Sequence, residues 1–548
     1  MGIYYGDASA LGNKVPCQYY HNRHQQNAAL HALKGGAFLA VWEDDSQTGG
    51  DTSSWAIRGQ IFNADGTKRG VEFLINTVAD NIQRDPQVTV LSDGRFVVVW
   101  EDAARDQIGA RAFSADGVAL GDEFQVNTTS VNGSPSPSVT ALSNGGFAVA
   151  YETENYSVVV QAFGASLERL GGEVPVKADA DNDSNAPIIV AMQGRYAVFF
   201  EGWGDQDGVI RAQIFNNDGT GATEPVVIAA SATNKDVSKP IATMLVGGQT
   251  VIAWVEETRD AQGKSTALIK AQMLNADGSK LGGELIVKSS GLDGSLQKPA
   301  ITQLADGGFA IAYFAQEDGF NSKDLYIATF KNNGERSQSD LFVERVYPSG
   351  GAEYSASLAS LDDGRLVVSW SNYVSDFDNN RNGIHGQIID PRQKAVKLEG
   401  SAFNDHYVGT RFNDSLKGAA GDDRLEGGLG KDTFTGGTGK DVFIFRSEAA
   451  KLNKDKIVDF KTRDDSIWLD NSVLSKLGKK GTDASPAKLS KAFFTIGEKA
   501  KDKNDYLVYD KNKGVLYYDA DGSGAGKAVE IATLTKKLPM TYKDFFVI

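Results

Sequence analysis

Phe96-Val97-Val98-Val99-Trp100-Glu101 reads as a strand that is apolar on both faces, whereas a half-buried strand alternates. A strand of this kind has to be covered on both sides. The run recurs, and its aromatic residue returns as Trp42, Trp100, Tyr151, Phe200, Trp254, Tyr313 and Trp370. An apolar segment such as Pro86-Gln87-Val88-Thr89-Val90-Leu91 and a turn such as Ser92-Asp93-Gly94 precede it. A variable loop follows, then a strand like Ile57-Arg58-Gly59-Gln60-Ile61-Phe62, a turn like Asn63-Ala64-Asp65-Gly66 and a last strand like Glu72-Phe73-Leu74-Ile75. Asp-Gly between two β-favouring runs is a hairpin signal. Four strands in each of seven units predict an all-β fold with a seven-bladed β-propeller over 29–398, preceded by an N-terminal segment, 1–28. The alternative, a string of separate four-stranded domains, would leave each unit of roughly 55 residues with a very small core.

A second, shorter repeat follows. Gly400 to Ile444 holds five nine-residue units in unbroken register, each opened by glycine (Gly400, Gly409, Gly418, Gly427, Gly436) and carrying an acid at its sixth position. Those acids are Asp405, Asp414, Asp423, Asp432 and Asp441, and two residues later come Tyr407, Leu416, Leu425, Phe434 and Phe443. Glycines allow a tight turn whose carbonyls point inward, the acid adds an anionic oxygen, and the apolar residue starts a short buried strand. Hard oxygen donors in a flexible turn suit calcium. The candidate ligands are these five acids with Gly418, Gly421, Gly427, Gly428, Gly430, Gly436, Gly437 and Gly439, and additional donors at Asn404 and Asn413. In the first two units Ser401 and Thr410 replace the second glycine and Phe403 and Phe412 the third, so weaker binding is expected there.

The units Gly427-Gly428-Leu429-Gly430-Lys431-Asp432-Thr433-Phe434 and Gly436-Gly437-Thr438-Gly439-Lys440-Asp441-Val442-Phe443 resemble the calcium-binding repeats of the repeats-in-toxin (RTX) family. The resemblance implies a parallel β-roll over 400–445, with ions between a turn and the one two units later. That pairs Asp405 with Asp423, Asp414 with Asp432 and Asp423 with Asp441. Asp455 to Phe460, Asp465 to Leu469 and Gly514 to Gly524 are similar to the module that flanks such rolls, and Asp544-Phe545-Phe546-Val547-Ile548 to an uncleaved type I export signal. Residues 446–548 are therefore expected to form a small β-rich secretion module, with the type I secretion apparatus as a partner and a secreted or cell-surface location.

Composition is consistent with that fate. The single cysteine, Cys17, allows no intrachain disulfide, so stability must come from core burial and metal. Residues 400–548 hold 25 basic and 22 acidic residues, which leaves 31 and 49, a net −18, for residues 1–399. So acidic a segment argues against nucleic acid and anionic membrane as partners, and no apolar run is long enough to span a membrane.

Other constellations are smaller. Asp519, Asp521, Ser523 and Glu530 have the spacing of an EF-hand loop, between segments that read as hairpin strands. Cys17, His21 and His24 fall one ligand short of a tetrahedral zinc site. Glu43, Glu101, Glu152 and Glu201 follow the repeat aromatics directly, and Glu256 follows Trp254 by two. They could ring a cation or accept hydrogen bonds, the recurring Gln60, Gln161, Gln213, Gln272 and Gln387 being the expected donors. The loops after the second strands, Asp44 to Ser54, Gly202 to Gly208, Glu257 to Lys264, Gln316 to Asp324 and Ser375 to Gly383, vary most and carry Trp203 and Phe320. A ligand would be read on that face. No His-Glu-x-x-His or Gly-x-Ser-x-Gly motif is present. The propeller is expected to bind a cell-surface glycan or polymer. A structural subunit assembling with copies of itself, and an extracellular polysaccharide-degrading enzyme, are the alternatives.

Overall fold

The computed structural model describes residues 11–16, 24–47, 50, 54–78, 82–103, 105–131, 134–177, 183–203, 208–232, 235–260, 265–289, 296–315, 323–346, 355–376, 379–448, 452–483 and 485–548. The chain divides into two units, one of Met1–Leu33 with Phe38–Ile389 and one of Lys34–Ala37 with Asp390–Ile548.

The first unit is a seven-bladed β-propeller of seven four-stranded antiparallel sheets. In the first blade the strands are Gln25–Ala32, Phe38–Asp44, Ala56–Phe62 and Lys68–Leu74, in that order across the sheet. The innermost strands Gln25–Ala32, Gln83–Val90, Ser138–Ala141, Asp183–Met192, Lys235–Met244, Ala300–Gln303 and Ala356–Ser360 each touch the next, and the last touches the first, so the ring is closed. The seventh sheet takes its fourth strand from the N-terminal side: Leu11–Pro16 pairs antiparallel with Asn379–Ile389. Hydrogen bonds thereby join the two ends of the propeller, through a strand the repeat pattern does not signal.

Every residue of Phe38–Asp44 and Phe96–Asp102 is buried, as a strand covered on both faces must be. In five blades an aromatic residue at the start of the second strand stacks on its cross-strand partner. These pairs are Phe38–Phe62, Phe96–Phe113, Phe147–Phe163, Tyr196–Phe215 and Phe309–Phe330, with ring centroids 4.6–5.4 Å apart, a contact worth about 0.5–1.5 kcal/mol beyond burial. The fifth and seventh blades substitute Thr250–Leu274 and Leu366–Ile389.

The second unit packs two sheets of mostly parallel strands around one core. Successive turns of the roll feed alternate sheets. Lys397–Glu399, Ser415–Ala420, Thr433–Thr438 and Asp455–Ile457 line one, and His406–Val408, Arg424–Glu426, Val442–Phe445 and Ser466–Leu469 the other. Tyr407, Leu416, Leu425, Phe434 and Phe443 point between them into a core that continues through Ile457, Ile467, Leu516 and Phe545. Phe545–Val547 pairs parallel with Ser466–Leu469, so the C-terminal residues are the next rung of that sheet.

Candidate metal centre

The turns of the roll are of two kinds. In the last three units the second position lies in the left-handed region, at Ala419 (φ 73), Gly428 (φ 83) and Gly437 (φ 101), while Ser401 and Thr410 do not share it. Close stacking dictates the other glycines. A Cβ at Gly439 would lie 1.9 Å from the carbonyl oxygen of Gly421, and one at Gly427 would lie 2.2 Å from Asp432 Oδ2.

The acids form two ladders. Asp405 N–H donates to Asp423 Oδ1 (2.8 Å), and Asp423 N–H to Asp441 Oδ1 (3.1 Å). On the other side Asp414 N–H donates to Asp432 Oδ1 (2.7 Å), and Asp432 N–H to Asp455 Oδ1 (2.9 Å). Asp423, Asp441, Asp432 and Asp455 thus each spend one oxygen on the turn before. The second oxygens of Asp423, Asp432 and Asp441 are buried without a hydrogen-bond partner, in side chains no more than 1 % exposed. A buried carboxylate oxygen left unpaired is costly. Hard anionic oxygens orphaned beside backbone carbonyls are a donor set that a calcium ion fits. Among the described residues no cluster of three or more His, Cys, Asp or Glu side chains is placed for a metal.

The first two turns satisfy themselves. Ser401 Oγ donates to both oxygens of Asp405 at 3.1 Å, and Thr410 Oγ1 to both of Asp414 at 3.0–3.1 Å. The side-chain oxygens of Asn404 and Asn413 accept the N–H groups of Asp422 and Lys431 (2.8 Å each), and Asp422 Oδ1 accepts that of Lys440. These three residues stitch turn to turn along the outside, a role the motif did not announce for Asp422.

Burial and neighbouring carboxylates raise the acids. Burial chiefly, with repulsion from Asp441, Asp405 and Asp422, pushes Asp423 to about 7. Burial, with Asp414 opposite, pushes Asp432 to about 7. The same cause, joined by the charge of the preceding rung, takes Asp455 to about 8 and Asp465 to about 6. An array held this far from its ordinary range is a common sign of a functional site.

The remaining candidates are placed as follows. Asp521 and Asp519 share one turn, where Asp521 Oδ2 accepts Gly526 N–H (2.9 Å). Glu530 lies on the strand Val529–Thr533, ion-paired with Lys454, and Ser523 N–H bonds Asp502 O. Cys17 and His21 fall outside the described residues, as do Phe320 and most of the central residues of the variable loops. In the propeller, Glu43 accepts from Gln26, Asn27 and the backbone N–H of Asp85 in the next blade (2.7 Å), and Glu201 accepts likewise from Lys239 N–H (2.7 Å). Glu101 pairs with Arg84 and Glu256 with Lys270 and Lys235. Gln60, Gln161, Gln213 and Gln272 are therefore not the partners of Glu43, Glu101, Glu201 and Glu256. Gln60, Gln161 and Gln272 donate to carbonyls of their own and the outer strand, at the register shifts of that pairing, and Gln213 donates to Thr223 O.

The fold and these turns define an all-β, calcium-binding protein: a seven-bladed propeller with a β-roll of acidic glycine turns. Residues 399–434 and 408–443 match the RTX calcium-binding nonapeptide repeat (4 copies). No curated protein matches the chain. Among solved structures, a protein of unknown function from Dyadobacter fermentans DSM 18053 is 12 % identical, with 70 % of this chain and 99 % of that one covered at a TM-score of 0.42. The polysaccharide lyase Uly1 is 10 % identical (71 % and 94 % covered, TM-score 0.41), and an α-L-arabinofuranosidase of Fusarium graminearum 11 % identical (55 % and 92 %, TM-score 0.38). Likenesses this loose carry no argument about activity. Among the described residues no helix is long and apolar enough to cross a membrane.

Proposed function

We propose that this chain is a secreted, calcium-loaded bacterial cell-surface or extracellular-matrix protein. Its propeller acts as an adhesin-like module for a surface glycan or polymer, and its roll folds on calcium after export by the type I apparatus. The observation that carries the reading is the row of orphaned, buried carboxylate oxygens at Asp423, Asp432 and Asp441. At cytosolic calcium they repel and stay unpaid by any partner. Outside, calcium supplies the missing charge, and binding free energy becomes folding free energy. Extracellular calcium modules bind at about 10⁻⁴–10⁻³ M, which suits a switch thrown by export.

Circular dichroism and light scattering of the full chain, with millimolar calcium and then with chelator, test the switch. A compact form in calcium that expands in chelator is expected, and identical spectra refute it. Glycan arrays test the adhesin reading, with saturable binding lost in Trp203→Ala as the expected result. Large ordered assemblies appearing only with calcium, and no glycan bound, would transfer the reading to a structural subunit.

A further inference from the structure

We propose that Lys461 is a tethered cation that closes the last position of one calcium ladder, between the turns of Asp441 and Asp465, so that this position takes no ion. The ladder does not stop with the nonapeptides. Asp441 N–H donates to Asp465 Oδ1 (3.1 Å), the bond that joins each earlier pair. The strands that follow also continue in register, Val442 pairing parallel with Ser466. Residues 461–465 are therefore a fourth turn of this ladder, reached after 24 residues instead of 18.

Within that turn Lys461 stands where Ser401 and Gly437 stand in theirs, four residues before the acid. Its N–H donates to Asp465 Oδ2 (2.7 Å) as Ser401 N–H does to Asp405 Oδ2 (2.6 Å). Its Nζ donates to the carbonyl oxygen of Gly437 in the turn before. Asp459 accepts the N–H groups of Gly436 (2.8 Å) and Gly437 (2.9 Å), and Asp441 Oδ2 is buried without a hydrogen bond. The exposed Lys461 ammonium is thus tied to a glycine carbonyl of the preceding turn, and its charge acts on both acids of the rung, Asp441 and Asp465. A divalent ion entering there would have to expel a charge of its own sign held by its own chain. The other ladder lacks the device, since Lys454, next to Asp455, is turned to Glu530.

The inference rests on the roll being a calcium ladder, and the test separates the two. Native mass spectrometry of the full chain saturated with calcium counts bound ions in the wild type, Lys461→Ala, Lys461→Arg and Lys454→Ala. Expected is one more ion in Lys461→Ala than in the wild type, with no change in the other two. Lys461→Gly, which restores the residue of Gly428 and Gly437, gives the same count should the alanine variant not fold. A wild type that binds calcium and Lys461 variants that bind the same number overturn the tethered cation alone. A wild type that binds none overturns the ladder and the tethered cation together.

Discussion

Asp423→Asn should change the stability of the roll in opposite directions with and without calcium. Asp423 stands in two rungs, accepting Asp405 N–H and donating its own N–H to Asp441. Its Oδ2 is orphaned in a side chain that is fully buried. Asparagine keeps the shape, the Oδ1 acceptor and the N–H, and removes only the charge. Without calcium, burial has raised the carboxyl from 3.8 to about 7. Its stabilising contribution is complete below the unfolded value and lost as pH rises through about 7. At about 1.4 kcal/mol per tenfold in proton affinity, the ionised group then costs about 4 kcal/mol. The amide escapes that cost and returns about 1–3 kcal/mol for its own unpaired NH₂. In chelator at mildly alkaline pH the variant should therefore gain about 1–3 kcal/mol. In calcium it loses an anionic ligand from two positions, and each forfeits about 1.4 kcal/mol for every tenfold excess of calcium over its Kd. Urea unfolding followed by circular dichroism in both conditions reads the two signs. Equal effects in calcium and in chelator would refute the role given to Asp423.

Two further outcomes follow from the same geometry and from the propeller core. In chelator the roll should gain stability on acidification through pH 8 to 6, the window set by Asp455 (about 8), Asp423 and Asp432 (about 7) and Asp465 (about 6). In that same window calcium affinity should fall as protons compete, so calcium titrations and chelator melts stepped across it must slope oppositely. In the propeller, Thr250 carries a buried, unpaired hydroxyl beside a cavity of about 50 Å³ lined by Phe199, Ile214 and Leu274. Thr250→Val, which keeps the shape and deletes the orphan, should raise stability by about 1 kcal/mol, seen as a higher Tm of the propeller transition.

What could be read from the residues was whatever is local. The second strand of each blade announces itself because it is apolar on both faces, and the Asp-Gly turns fix its hairpins. Leu11–Pro16 announced nothing, because its place is decided by pairing with Asn379–Ile389 at the far end of the chain. The acceptor roles of Glu43 and Glu201 were equally hidden, since their donors are backbone N–H groups freed by irregular pairing in the next blade. A signal did exist. Pro86, Pro187 and Pro240 recur in the first strand and Pro137 directly before it, each after a residue with positive φ (Asp85, Ala186, Lys239, Ser136). Lys461 escaped notice because its turn breaks the nine-residue period that made the others visible.

Net charge proved a poor guide to where calcium is needed. Residues 1–399 carry −18, yet Glu43 and Glu201 are matched by N–H groups and Glu101 and Glu256 by Arg84 and Lys270. Residues 400–548, with 25 basic against 22 acidic, hold Asp423, Asp432 and Asp441, whose second oxygens are buried without a partner. A surface acid is stabilised by water and salt at little cost, whereas a buried one must find a donor, take up a proton or acquire a metal. Desolvation within the glycine turns, more than the sum of charges, is what suits the roll to bind calcium.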